Sequence, residues 1–138
     1  MNDRDVTLAI CELLGRMPGW SWDPSGPYPV GQVVIFYGAI PPAPDRAIGV
    51  RVYGGTDNAQ VYQPVRRVQL RFRGARGAPD DADQMAGWAF RLLQGTSRIK
   101  GLNHVERSSF GPLGADQNGR QERTDNYLII LDNLEASK

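Results

Sequence analysis

Cysteine and histidine are nearly missing from this sequence, with one of each in 138 residues. A lone Cys11 excludes an intrachain disulfide and fits synthesis in a reducing cytosol. A lone His104 excludes a metal centre built mainly on imidazoles. No C-x-x-C, H-E-x-x-H or G-x-S-x-G occurs, and Gly111 and Gly114 lead into no Gly-Lys-Ser/Thr phosphate loop. No stretch approaches the roughly 20 apolar residues of a membrane span. The start, "MNDRDVTLAICELLGRM", carries Asp3, Asp5 and Glu12 where a secretion signal wants a basic start and an unbroken apolar run. Charge of one sign is also lacking. The net charge of +1 rules out a polycation that seeks nucleic acid with its whole surface. The expectation is a protein with no catalytic residues, no metal, no cofactor and no membrane partner.

What is present is loop chemistry and two kinds of periodicity. Sixteen glycines and ten prolines call for substantial loops between the elements of a single domain, residues 1–138. Val6, Ala9, Ile10, Leu13, Leu14 and Met17 share one helical face, with Asp3 or Asp5 as cap and Gly15 and Pro18-Gly19 as stop. Cys11 falls at the flank of that face. Ala82, Met85, Ala86, Ala89, Leu92 and Leu93 form a second stripe, widened by Trp88 and Phe90 and opened by Asp80, Asp81 and Asp83. Those three acids suit a helix start better than a metal cluster.

Strands are expected at Val33–Gly38, Ala47–Gly55, Val65–Gly74, His104–Phe110 and Asn126–Leu131. Residues 54–64 read as a linker and residues 132–138 as a polar tail. The order predicts an α+β fold, a mainly antiparallel (or mixed) sheet flanked by two helices, with a long C-terminal β-hairpin. Long loops are expected at residues 18–32 and 111–123.

Two loops and one strand carry the candidate sites. Trp20, Trp22 and Tyr28 in the first loop are either an aromatic cage for a ligand or anchors that pin the loop or meet another subunit. Arg67, Arg71 and Arg73 lie on one strand face, where alternate residues stand about 7 Å apart. They form a solvated face, a subunit face meeting acids such as Asp116, Glu122 or Asp125, or a surface for passing DNA. Asp116, Asn118 and Gly119 supply half a calcium loop. They also supply what a hairpin turn requires.

The stretches "VQLRFRGARGAPDDADQMAGWAFRLLQG" and "SSFGPLGADQNGRQERTDNYLIIL" together resemble the tail terminator or minor capsid proteins of long-tailed bacteriophages, from about Val65 to Leu131. The Trp- and Pro-rich 18–32 loop departs from that pattern. The resemblance implies a non-catalytic virion protein, made in the host cytoplasm. It would form a ring, expected as a hexamer, that caps the tail tube and joins it to the head connector or stopper protein. DNA would pass through the lumen without sequence-specific contacts. Under that reading Arg67, Arg71, Arg73, Asp116, Arg120, Glu122 and Arg123 face a subunit or the lumen. Another connector or tail tube component, or a small intracellular ligand-binding domain, are the alternatives.

Overall fold

A computed structural model describes residues 1–29, 31–57 and 63–132. Residues 58–62 of the expected linker and nearly all of the polar tail lie outside those residues. In chain order the elements are α1 (Asp3–Leu14), β1 (Trp20–Ser21), β2 (Val33–Tyr37), β3 (Ala47–Thr56), β4 (Val65–Arg76), α2 (Asp81–Leu93), β5 (Leu102–Ala115) and β6 (Arg120–Leu131). The strands form one open sheet in the order β1-β2-β3-β4-β6-β5. The fold is α+β, as the periodicities require. The sheet is mixed: β1–β2 and β2–β3 are parallel, and the other three pairs are antiparallel.

Both helices cover one face of the sheet. Val33 and Ile35, Ile48 and Val50, Val68, Leu70 and Phe72, Val105, and Tyr127, Ile129 and Leu131 point toward them. Val6, Ile10, Leu13 and Leu14 of α1 and Ala82, Met85, Ala86, Ala89 and Leu93 of α2 complete that core. The small residues of α2 let its axis come close to β4. A Cβ on Gly74 would meet the Asp81 Cβ at 2.9 Å. Cys11 is buried rather than at the flank, and burial pushes its thiol up to about 12. Trp88 instead stands 43% exposed, with the Arg91 guanidinium over its ring.

The caps differ in detail from the expectation. Asn2, not Asp3 or Asp5, caps α1: its side chain accepts from the Asp5 N–H while the Asp5 carboxylate accepts from the Asn2 N–H. Asp80 holds the N-cap position of α2 without a side-chain cap bond.

Parallel neighbours must be joined by a chain that runs back along the strand, usually roughly a dozen or more residues with a helix. Here the proline-rich residues 38–46 make that return between β2 and β3 without one. They cross the sheet face opposite the helices, where Ile40 packs on Val34, Phe36 and Ala47 as a second small core. Gly49 permits the close approach, since a Cβ there would stand 2.5 Å from the Gly38 carbonyl oxygen.

The expected loop at 111–123 is instead mostly strand. Gly111–Ala115 pairs with Gln121–Thr124, leaving only Asp116–Gly119 as the turn. Pro112 and the glycines suggest a loop, but β5 is an edge strand, where proline costs no ladder bond. Gly119 adopts φ 71°, and its N–H donates to the Asp116 carbonyl. The 18–32 loop likewise contains a two-residue strand, β1.

Candidate functional site

The arginine row does not behave as a row. Alternation along β4 places Arg67, Gln69, Arg71 and Arg73 on the face away from the helices, but their surroundings differ. Arg67 is exposed. Arg71, about half exposed, donates from Nε and Nη2 to the two carboxylate oxygens of Glu122, at 3.1 and 3.2 Å. Arg73 is buried under the 38–46 crossover. Its Nη2 donates to the carbonyls of Pro41 and Pro44 (2.8 and 2.6 Å) and its Nε to the Asp45 carbonyl (2.9 Å). Prolines impose this arrangement, since they offer carbonyls but no N–H, and a guanidinium is all donor. Burial, and then the nearby Arg120 charge, push the Arg73 guanidinium below its usual value.

Arg120 completes the clamp from β6. It is buried too, and donates to the Pro42 carbonyl at 2.7 Å, the Asp45 carboxylate at 3.1 Å and the Asp116 carboxylate at 2.8 Å. Asp116 also accepts from the N–H groups of Asn118 and Arg120, at 2.9 and 3.0 Å. The Arg120 N–H, joined by its side chain, holds this carboxyl below the usual carboxylate range. The half calcium loop is thus a turn whose carboxylate is already engaged. Arg46, at the end of the crossover, grips Asp81 with Nε and Nη2, and Asp81 accepts from the Ala75 N–H. Crossover, hairpin turn and α2 start are tied into one corner. Arg73 and Arg120 are therefore internal braces in the free chain rather than residues of an outer face.

Arg123 lies on the helix side of the sheet. It donates to buried Asp125 at 2.8 Å and to Asp83 of α2 at 3.1 Å, and Asp125 also accepts from Arg107 at 3.3 Å. Phe110, 58% exposed, sits between the Arg107 and Arg123 guanidiniums at 4.4 and 4.7 Å. Beyond it, Leu113 is exposed on the outer half of the hairpin.

The three loop aromatics are not brought together. Trp20 and Trp22 pack against the helix-side core. Tyr28 meets Phe36 edge-on at 5.0 Å on the opposite face. The rings pin the 18–32 loop across the β1 edge and form no common cage.

Asp125, expected among the acids that meet the β4 arginines, is instead buried on the helix side with Arg107 and Arg123, and sequence reasoning missed Arg107 and the role of Asp45 and Arg46. Asp125 was within reach: it shares the inward parity of Tyr127, Ile129 and Leu131 on β6. Nothing in the local pattern marks Asp45, whose partners come from β4 and β6.

Among the described residues this arrangement is a rigid corner and two surfaces. Comparison with known proteins gives it a setting. A model of the family described as bacteriophage tail terminator protein matches residues 20–133. A search of curated proteins finds no match. Among solved structures, a chain from the virion of a native gene transfer agent particle superposes with TM-score 0.59 at 12% identity, covering 70% of this chain and 77% of that one. At that identity the likeness is one of fold. With that family model matched over most of its length, the chain belongs to the bacteriophage tail terminator family and is a structural protein of the phage virion.

Proposed function

We propose that residues 1–138 act as one domain that closes, copy to copy, into a hexameric ring at the end of the tail tube. The ring caps the tube and joins it to the head connector or stopper protein. DNA passes through the lumen without base-specific contacts, and the site of action is the head–tail junction of the virion. The role requires no catalysis.

The observation that carries this reading is the β5–β6 hairpin. Its strand β5 is the exposed edge of the sheet and presents Phe110 and Leu113 to solvent, while β6 is paired to β4 and Arg120 holds the turn. An edge held this firmly is suited to meeting another molecule. Its outer edge is poorly suited to adding a strand: register shifts interrupt β5 near residues 103, 108 and 113, and Pro112 lacks a donor. The contact it makes is through side chains. The exposed Arg67 and the half-exposed Arg71, with Glu122, belong to a second surface on the open sheet face. Two unlike surfaces per copy are what a closed head-to-tail ring needs.

The test is addition of purified chain to tail tubes assembled without it. End-capped tubes of uniform length in electron micrographs support the role. Tubes that bind no chain at their ends reject it.

A further inference from the structure

On the open sheet face, β3, β4 and the first residues of the crossover enclose a cleft of about 480 Å³ lined by Gly38, Ile40, Arg51, Gln69, Arg71 and Arg73, with Glu122 at its rim. Three guanidiniums thus line it against one carboxylate. Arg73 spends its donors on the crossover carbonyls, and Arg71 spends two on Glu122. Arg51, exposed on β3, has no hydrogen bond or ion pair among the described residues. The cleft keeps an excess of positive charge and is ample for an acidic side chain of another molecule. A carboxylate entering it can take charge-assisted bonds from Arg51 and from the donors Arg71 does not spend on Glu122.

The complementary group is at the start of α2. Asp80 occupies the N-cap position there without capping, is exposed, and has no ion-pair partner among the described residues. Its neighbour Asp81 is consumed by Arg46. Helix α2 lies on the far face of the sheet from the cleft, so no copy can fill its own cleft with its own Asp80. We propose that the Arg51–Arg71 cleft receives the Asp80 carboxylate of a second copy of this chain. The contact joins two different surfaces, so it propagates head to tail. It rests on the ring reading and names one of its contacts.

The experiment is charge reversal in the full chain, followed by sedimentation velocity over a concentration series. The variants are Arg51→Glu, Asp80→Arg and the double variant, with thermal melts to confirm folding. The expected result is assembly weakened about tenfold or more by each single reversal and restored in the double variant. Assembly of the native chain should also weaken as salt is raised. An assembling native chain whose single reversals change nothing overturns this contact while leaving the ring intact. A native chain that stays monomeric throughout rejects the ring reading and the contact with it. A short DNA duplex serves as second probe: Arg51→Glu that leaves assembly unchanged but abolishes duplex binding assigns the cleft to nucleic acid and overturns the proposal.

Discussion

A single guanidinium can hold a proline loop because the chemistry of the two is complementary, and Arg73 tests that idea most simply. Arg73→Met removes a charged donor from three carbonyls beneath the crossover. Urea unfolding should show a loss of about 3 kcal/mol, well above the roughly 0 to 1 kcal/mol expected for Arg71→Glu at its half-exposed pair. Arg71→Glu should instead impair assembly. Tyr127 is the opposite case. Its hydroxyl is buried with no partner among the described residues, and burial, then the Asp125 charge, push it well above the usual phenol value. Tyr127→Phe should leave stability unchanged or raise it by about 1 kcal/mol in the same assay. Asp116 gives a pH signature. Its carboxyl is depressed in the folded chain, so its contribution is complete above the unfolded aspartate value of about 3.9 and is lost as pH falls further. Thermal melts should decline less steeply with acid in Asp116→Asn than in the native chain.

Among the elements, legibility followed burial. Both helices and β3 and β4 were readable because one face of each is apolar at the right period, and β2 and the end of β6 because they are unbroken apolar runs. The outer hairpin was not. Residues 111–115 and 121–124 lie mostly in exposed or half-buried positions, so the inside–outside contrast that marks a strand is missing there. Their ladder is set by the turn at Gly119 and by the pairing of β6 with β4, a long-range cause that no local window contains. The arginines divide in the same way. The alternation placed Arg67, Arg71 and Arg73 on one face correctly, while the burial of Arg73 depends on a crossover whose course follows from parallel pairing. The crossover itself is testable through Gly49. Gly49→Val puts a branched side chain where the Gly38 carbonyl stands, and should cost about 1 to 3 kcal/mol or more in urea unfolding.

For the whole molecule, the division of labour between the two sheet faces is the main result. One face is sealed by α1 and α2 and carries the stability of the fold. Among the described residues the other carries the crossover and Tyr28 over β2 and leaves Arg51, Arg67 and Arg71 exposed. The hairpin adds a second presenting surface at the β5 edge. A chain of near-neutral charge with such surfaces can fold first and assemble afterwards, which the proposed ring requires. The central claim is closure into a ring, and electron microscopy of the purified chain at rising concentration tests it most directly. The account predicts closed rings of six copies with a central opening. Monomers at every concentration, or open-ended filaments in place of rings, would contradict it.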